Sequence, residues 1–279
     1  KKENVMHREH YAKVGKETGL RVDYNAWDDE HTGLFTTKSD YLTIIQLAKL
    51  RGITLEQQYN LKEHSQDVSV QKLKNLSSEL ENYKKAHGLI DYNDMILDFI
   101  KSDASPAFDV VFIDEAQDLS LMQWNMAKSI WNKTKDSYIA GDDDQAIFRW
   151  AGADVDSFIA QTGKFLKLTE SHRVPRVVHD VAMKIVKRIS KRHHKEWKPK
   201  NKNGALSYYH NFQDIDMSSG EWYVLARTRH MLTKLENVLH SKGLYYHNKF
   251  KKDYEKDLRE AIIDWEKWRK NNDLKHDQI

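Results

Sequence analysis

The sequence contains no cysteine, only three prolines and no long apolar run. The missing cysteines exclude disulfides, thiolate zinc sites and cysteine-ligated iron–sulfur clusters. No segment approaches the roughly 20 consecutive apolar residues of a membrane span, and the first residues, KKENVMHREHY, lack the apolar core of a signal peptide. We therefore expect a protein without a membrane partner, located in the cytoplasm or at the nucleoid.

A strong excess of one charge is also missing, because 45 Lys and Arg stand against 42 Asp and Glu. The basic residues are nevertheless concentrated in residues 184–202, KIVKRISKRHHKEWKPKNK. This run suits contact with a phosphate backbone, but a solvated helix face followed by a linker explains it equally well. The length of 279 residues is sufficient for two domains of ordinary size.

The region 1–105 is highly charged and contains no convincing strand. Apolar residues recur at helical spacing in three of its segments, LTIIQLAKL, VQKLKNLSSELENYKKA and DYNDMILDFIKS. We predict a small helical domain over this region.

Short β-branched runs that end in polar residues begin near Phe108. Three such runs are DVVFIDEAQD, SYIAGDDDQ and FLKLTESHR, and LSLMQWNMAKSIW between the first two has the spacing of a helix. Alternating strands and helices indicate an α/β fold with a parallel sheet covered on both faces. Ligands of such sheets bind beyond the carboxyl ends of the strands, where these polar tails fall.

A second α/β unit is predicted from Ser171 onwards. Pro175, at the first position of a helix, opens VPRVVHDVAMKIVKRISKRH. One apolar stripe of this helix consists of Val178, Val181, Ala182, Ile185 and Ile189. Further along, the predicted strands are GALSYYH and EWYVLARTR, and the predicted helices are MLTKLENVLHSKG, ended by Gly243, and YEKDLREAIIDWEKWRK.

The polar tails carry residues suited to the hydrolysis of a nucleoside triphosphate. Asp114 could hold a magnesium-bound water while Glu115 orients and deprotonates the attacking water. Gln145, after the second run, could touch a γ-phosphate, and Arg173, after the third, could neutralise the transferred phosphoryl group. A second interpretation is a two-metal nuclease. Its carboxylates would be Asp114, Glu115, Asp118, Asp142, Asp143 and Asp144, although the side chains of three consecutive aspartates diverge.

Five blocks of sequence stand in order between Leu89 and His247. They are LIDYNDMI, VVFIDEAQD, GDDDQAIFRWAGAD, LTESHRVPRVVHDVA and YVLARTRHMLTKLENVLHSKGLYYH. The second, third and fourth resemble motifs II, III and IV of superfamily 1 helicases of the UvrD/Rep-like family. The first resembles the segment that precedes motif II in that family, and the last resembles motif IVa.

The resemblance implies partial RecA-like P-loop NTPase lobes with parallel sheets. Residues 1–105 would be a helical accessory region, similar to the 1B insertion of the family. Residues 106–169 would be part of the first lobe, with motifs II and III, and residues 170–279 part of the second, with motifs IV and IVa. The implied cofactors are ATP and Mg²⁺, and the implied partners of a monomer are single-stranded DNA and DNA junctions.

The resemblance assigns the nucleotide site to four residues. Asp114 would help to bind Mg²⁺ through a water, and Glu115 would be the catalytic base. Gln145 and Arg173 would contact the γ-phosphate of ATP, and Gln145 would report it to the DNA site. Motif IV departs from the family, because Ser171-His172-Arg173 stands where Asn-Tyr-Arg is usual. The arginine is kept, whereas the tyrosine that packs on the adenine side is not.

The resemblance assigns DNA contacts to motifs III and IVa. Bases of a single strand would stack on Phe148 and Trp150, a contact worth about 1–3 kcal/mol per base. The cations that would contact DNA are Arg149, Arg227 and Arg229. Family members usually carry Gly before the motif III tryptophan and Arg after it, whereas this sequence has Arg149 before and Ala151 after. The positive charge has therefore moved along the chain.

The glycine-rich loop GxxxxGK[ST] that cradles phosphates is absent from the sequence, and so are motifs V and VI. VGKETG, Val14 to Gly19, does not replace it, because Glu17 occupies the Ser/Thr position. We therefore expect an internal fragment of an ATP-dependent DNA helicase, translocating 3′ to 5′ as its relatives do, that is inactive as an ATPase by itself. A non-catalytic module that binds single-stranded DNA is the alternative.

Overall fold

The computed structural model describes residues 4–22, 24–25, 36–37, 39–65, 67–248 and 256–269. The chain falls into two compact units, Lys1–Gly204 and Ala205–Ile279. The predicted boundaries near residues 105 and 169 both lie inside the first unit. In the described ranges, none of the helices is long and apolar enough to cross a bilayer.

The amino-terminal part of the first unit is helical, as the apolar spacing predicts. Its helices are α1 (Arg8–Glu17), α2 (Asp40–Arg51), α3 (Leu55–Asn60), α4 (Val70–His87) and α5 (Tyr92–Ser102). A short antiparallel pair, β1 (Tyr24–Asn25) with β2 (Thr36–Thr37), was not predicted. The side chains of Ser39 and Ser69 accept backbone N–H groups and cap the starts of α2 and α4. Both helices end at a left-handed glycine.

The core of this helical part includes residues of α1, α2 and α4. Its members are Met6, Tyr11, Val14, Val22, Leu42, Ile44, Ile45, Val68, Leu73, Leu76 and Leu80. Gly15 lies in α1, and a Cβ added to it would stand 2.8 Å from the side chain of Val22. VGKETG therefore belongs to a packed helix and its last turn, in agreement with the exclusion of a phosphate loop.

A two-stranded parallel sheet follows, formed by β3 (Val110–Ile113) and β4 (Asp136–Ile139), with α6 (Leu121–Trp131) between them. The predicted order and parallel direction are confirmed for these two runs. The prediction of a sheet covered on both faces is wrong. Phe112 is 76% exposed and stacks on Tyr138, with ring centroids 5.0 Å apart, because no second layer covers this face within the described residues.

The third predicted strand, in residues 165–173, is also wrong. Residues 164–169 have no regular structure, and Glu170 forms an isolated parallel bridge with Lys198. Leu166 and Leu168 are each 87% exposed. Backbone N–H and C=O groups of a strand need partners along its length. In the part of the chain that the structure describes, the bridge supplies two such bonds to this run, from Lys198 N–H to the Thr169 carbonyl oxygen and from Ser171 N–H to the Lys198 carbonyl oxygen.

The first unit also contains α7 (Val155–Ile159) and α8 (Arg176–Val186). Pro175 is the extended N-cap of α8 (φ −74°, ψ 165°), not its first helical residue as predicted. The predicted apolar stripe is confirmed only in part, because α8 ends at Val186 and Ile189 lies beyond it. The helix has no buried residue, and Ile185 is 60% exposed.

The second unit contains α9 (Arg229–Ser241) and α10 (Lys256–Arg269). Gly243 follows α9 with φ 65°, as predicted. The two predicted strands are wrong, since residues 204–209 and 221–226 have no regular structure. Their apolar side chains face solvent, with Leu225 94% exposed. Hydrophobic alternation specifies a strand only when a neighbour supplies hydrogen bonds and cover.

Candidate functional site

The carboxyl end of β3 presents two acidic residues to solvent. Asp114 and Glu115 are both exposed, and Asp114 Oδ1 accepts the backbone N–H of Glu115 at 2.9 Å. Glu115 has a left-handed backbone (φ 50°, ψ 37°), which is uncommon for a residue with a side chain. Strained backbone positions of this kind cluster at functional sites.

Gln117 joins this strand end to the turn that follows β4. Its side chain is almost fully buried, at 1% exposure. Nε2 donates to Glu115 Oε2 at 2.7 Å, and Oε1 accepts the backbone N–H of Asp142 at 2.9 Å. Gly141 leaves room for this contact, because a Cβ there would stand 2.6 Å from Gln117 Oε1. The sequence reasoning missed Gln117, because nothing in a linear pattern marks a glutamine for burial.

Gln145 is attached to the same network. Its side chain donates from Nε2 to Asp142 Oδ2 at 2.7 Å, and the residue is exposed. Glu115, Gln117, Asp142 and Gln145 therefore form one hydrogen-bonded path. The structure brings together two of the predicted nucleotide residues, Glu115 and Gln145, through two residues that were not assigned to that site.

Asp118 lies beside this path. Its Oδ1 is buried and has no hydrogen-bond partner within the described residues. Burial and the charge of Glu115 raise the pKa of Asp118 above its ordinary value. The Asp118 carboxyl therefore stays protonated to a higher pH than a free aspartate does.

The acidic turn Asp142–Asp144 is neutralised by the basic segment Arg192–Lys195. Arg192 donates from Nε and Nη2 to the two carboxylate oxygens of Asp144, at 2.5 and 2.6 Å. Lys195 Nζ donates to the carboxylates of Asp142 and Asp143, and the backbone N–H of His193 donates to Asp143 Oδ2. We call this set of contacts the charged clasp.

The charged clasp shifts the acid–base behaviour of its members. Burial alone would raise the pKa of Asp142, but hydrogen bonds from Gln145 and Lys195 outweigh it and hold that pKa below its ordinary value. Burial disfavours the Lys195 ammonium, yet the bonds to Asp142 and Asp143 raise its pKa. The basic run 184–202 is thus partly consumed by internal ion pairs, which leaves fewer of its cations for a phosphate backbone.

The aromatic half of the turn is fixed against the helical part. Phe148 is half-buried, whereas Trp150 is 67% exposed. Arg51 of α2 donates to the carbonyl oxygen of Arg149 at 3.2 Å. Gly152 has φ 101° and a Cβ there would stand 3.3 Å from Leu50, so the backbone approaches α2 closely.

A surface cavity of about 540 Å³ adjoins Trp150. It is lined by Arg51, Leu61, Glu63, Leu121 and the segment 149–154 without Ala151. The indole of the buried Trp124 donates to the carbonyl oxygen of Asp154 at 3.2 Å, which holds the carboxyl end of this segment on α6. An exposed indole on a fixed backbone beside a cavity can act as a platform for a flat ligand.

The arginines predicted to contact the γ-phosphate or DNA differ in their surroundings. Arg149 pairs with Asp156 at 3.2 Å, and both side chains are about half exposed. Such surface pairs contribute little, so this guanidinium can exchange partners. Arg173 and Arg227 are exposed, and Arg227 belongs to the second unit. Arg229 is the first residue of α9, and its side chain lies outside the described part of the structure.

Among the described residues, the acidic side chains that lie close enough together to bind one metal ion are in the helical part and not at the strand ends. Within the described residues, the group of three acidic side chains close enough to share an ion is Glu81, Asp91 and Asp94. The ammonium groups of Lys49 and Lys84 already pair with these carboxylates, at 2.6 to 3.3 Å. This cluster is therefore an internal ion network. In the described ranges, the six acids of the nuclease interpretation do not form such a group.

The family of the chain is apparent from comparison with known proteins. The sequence model described as UvrD/REP helicase N-terminal domain matches residues 6–166. The ATP-dependent DNA helicase PcrA of Bacillus subtilis (strain 168) is 26% identical over 158 residues, which are 51% of this chain and 21% of the relative. The probable DNA helicase II homolog of Mycoplasma capricolum is 24% identical over 163 residues, 56% of this chain and 22% of the relative.

A third relative is similar to the chain over a shorter segment. The ATP-dependent DNA helicase PcrA of Staphylococcus epidermidis is 27% identical over 115 residues, 39% of this chain and 16% of the relative. The chain spans about a fifth of the length of these curated relatives. Because the family match covers more than half of the 279 residues and includes the segment from Asp114 to Asp154, the chain belongs to the UvrD/REP helicase N-terminal domain family.

Proposed function

We propose that this chain is the part of an ATP-dependent DNA helicase in which the state of the nucleotide is coupled to DNA. The path Glu115–Gln117–Asp142–Gln145 carries the proposal, because it ends five residues before the exposed Trp150. A change at the nucleotide would displace the turn that bears the base platform. The names of the relatives, ATP-dependent DNA helicase PcrA and probable DNA helicase II homolog, support this proposal.

The corresponding architecture is a pair of RecA-like lobes. Residues 106–169 would contribute to the first lobe and residues 170–279 to the second, with 1–105 as the helical accessory region. The parallel pairing of β3 and β4, each followed by acidic residues, supports this assignment. ATP would bind between the lobes and draw them together, and hydrolysis would release them.

ATP and Mg²⁺ fit the donors at the end of β3. Asp114 and Glu115 are exposed carboxylates, and carboxylate oxygen is a preferred ligand type for Mg²⁺. Asp114 would hold the ion through a water molecule. When bound, Mg²⁺ would supply neutralisation of charge on the phosphate oxygens.

The remaining nucleotide chemistry belongs to three side chains. Glu115 would orient the attacking water and accept its proton. Gln145 would direct its amide towards the γ-phosphate while Asp142 holds the turn. Arg173 would offset negative charge on the transferred phosphoryl group.

DNA would bind across the aromatic turn. Bases of a single strand would stack on Trp150 and on the accessible part of Phe148, and Arg149, Arg227 and Arg229 would contact the DNA. The proposed partners are single-stranded DNA and DNA junctions, engaged by a monomer. By analogy with its relatives, the complete protein would move 3′ to 5′.

Binding of a fluorescent oligothymidylate to the 279-residue chain tests the DNA site. Trp150→Ala is expected to weaken binding by about 1–3 kcal/mol, or roughly 5- to 150-fold in Kd. Trp222→Ala is the matched control, because Trp222 is 52% exposed but lies in the second unit. Equal affinity of the Trp150→Ala variant and the unaltered chain would remove the base platform from the proposal.

A module that binds single-stranded DNA without catalysis is the second candidate for the chain by itself. The exposed Trp150 and its cavity favour it, because they need no nucleotide to be present. On this view DNA affinity is independent of ATP and Mg²⁺, and the chain has no ATPase activity that DNA stimulates. A DNA-stimulated ATPase rate in the 279-residue chain would contradict our expectation that it is inactive alone.

A further inference from the structure

We propose that Arg192 and Lys195 are positioning residues that set the orientation of Gln145 through the charged clasp. The proposal rests on the proposed function, since it concerns how the same turn is held. Neither residue was assigned a role at the sequence level, where both belong to a basic run with two open interpretations.

Lys195 acts on the same carboxylate as Gln145. One oxygen of Asp142, Oδ1, accepts Lys195 Nζ, and the other, Oδ2, accepts Gln145 Nε2 at 2.7 Å. The Asp142 side chain is 38% exposed, so without Lys195 it can rotate towards solvent. The Gln145 amide would then lose the acceptor that fixes its direction.

Arg192 fixes the other end of the turn. Its two bonds to Asp144 are bidentate, which sets the angle of the carboxylate as well as its distance. The Asp143 and Asp144 side chains are only 2% and 8% exposed. Three adjacent carboxylates, two of them buried, repel one another unless cations lie between them.

The turn itself depends on these carboxylates. The backbone N–H of Asp144 donates to Asp142 Oδ1, the atom that also accepts Lys195, and the backbone N–H of Gln145 donates to the Asp142 carbonyl oxygen. A change in the charged clasp therefore reaches the backbone of Gln145 directly. Lys191, which directly precedes Arg192, pairs instead with Asp156, at 2.8 Å between exposed groups, and provides a matched control.

Hydrogen–deuterium exchange on the 279-residue chain tests the contact. In Lys195→Ala and Arg192→Ala, the amides of residues 144–146 are expected to exchange about tenfold faster or more, while α4 exchanges as before. Lys191→Ala should leave both regions unchanged. If an alanine variant fails to fold, Lys195→Gln, which keeps a donor and removes the charge, replaces it. Unchanged exchange at 144–146 in folded variants would overturn the proposal.

ATP hydrolysis by the complete protein that contains this chain tests the positioning role. Lys195→Ala is expected to lower the DNA-stimulated kcat about ten- to hundredfold with little change in the KM for ATP. Lys195→Arg should restore most of the DNA-stimulated kcat. The double variant Lys195→Ala, Gln145→Ala should be no slower than Gln145→Ala alone, because both substitutions act through the Gln145 side-chain amide.

Failure of the proposed function and failure of the positioning role give different results. If the unaltered complete protein lacks DNA-stimulated ATPase activity, the proposed function is wrong. If the unaltered protein is active and Lys195→Ala has the same kcat, or if its effect adds fully to that of Gln145→Ala, the proposed function stands and the positioning role is wrong.

Discussion

One buried side chain, that of Gln117, hydrogen-bonds to Glu115, Asp118 and Asp142. Its amide nitrogen meets the Glu115 carboxylate and its oxygen meets the Asp142 backbone N–H. A glutamine is well suited to this place because it combines a donor and an acceptor at one end. Leucine fills a similar volume but leaves the Asp142 N–H without that acceptor.

Gln117→Leu is therefore expected to destabilise the chain by about 1–3 kcal/mol, the usual cost of a buried polar group left unpaired. Urea unfolding followed by circular dichroism measures this change. Gln161→Leu is a suitable control, because the half-buried Gln161 side chain makes one hydrogen bond within the described residues, to the Ser157 carbonyl oxygen. A Gln117→Leu variant as stable as the unaltered chain would show that the path is not needed for the fold.

The functional side chains that could be predicted are those that follow the end of a strand in the sequence. Asp114 and Glu115 come directly after β3, and Gln145 and Trp150 lie in the turn region that follows β4, so local pattern was sufficient to select them. Gln117, Arg192 and Lys195 could not be selected in this way. Their partners lie 2 to 53 positions away along the chain, and only the folded structure brings these groups together.

At the scale of elements, the helices were predictable and most strands were not. α2, α4 and α5 carry their own signals, namely apolar spacing and a capping side chain at Ser39, Ser69 and Asp91. A helix satisfies its backbone internally, whereas a strand depends on a neighbour that sequence pattern does not identify. The runs near residues 166, 206 and 223 have strand-like composition but lack such neighbours in the described residues.

The helices α2, α4 and α5 are joined by a buried ion network. Lys84 is 5% exposed and pairs with Glu81, Asp91 and Asp94, and Lys49 pairs with the same three acids. Burial alone would raise the pKa of Asp94, but bonds from the Asp91 backbone and Lys84 lower it. The pKa of Glu81 is lowered in the same way, by the two lysines against burial.

This network predicts acid sensitivity of the helical part. A carboxyl whose pKa is depressed by folding contributes stability above its unfolded value of about 4, and that contribution is lost as the pH falls through the lower folded value. Urea unfolding at pH 7 and at pH 3 should show this loss. Exchange protection of α2, α4 and α5 that is equal at both pH values, after correction for intrinsic rates, would contradict it.

Removal of one cation tests the same network at neutral pH. Lys84→Ala is expected to cost about 3–5 kcal/mol, because it leaves buried carboxylates underpaired. Lys74→Ala is the control, since Lys74 pairs with Glu56 at the surface and should cost about 1 kcal/mol or less. Unfolding midpoints in urea at pH 7 distinguish the two outcomes.

At the scale of the whole molecule, the described contacts of the candidate site lie within the first unit, Lys1–Gly204. A chain that ends at Gly204 is expected to keep the helical core and the Trp150 platform, but to lose Arg227 and Arg229. If both arginines contact phosphates of the single strand, the slope of log Kd against log salt should fall by about 1.4, or about 0.7 for each contact.

Fluorescence anisotropy with labelled oligothymidylate at several salt concentrations measures this slope. The double variant Arg227→Ala, Arg229→Ala in the full chain is the control for truncation itself, and it should give the same slope as the shortened chain. Equal slopes for the shortened and unaltered chains would exclude both arginines as phosphate contacts.

The charged clasp also bears on the order in which the chain folds. Arg192 and Asp144 are 48 positions apart, so their pairing closes a long loop, and the entropy of that closure is lost before the ion pair forms. The capping and spacing signals of the helical part act over a few residues and need no such closure. We expect the helices to form early and the turn that bears Gln145 to be completed among the last steps. By the same reasoning, mild denaturant should open this turn first, while most of the chain is still folded.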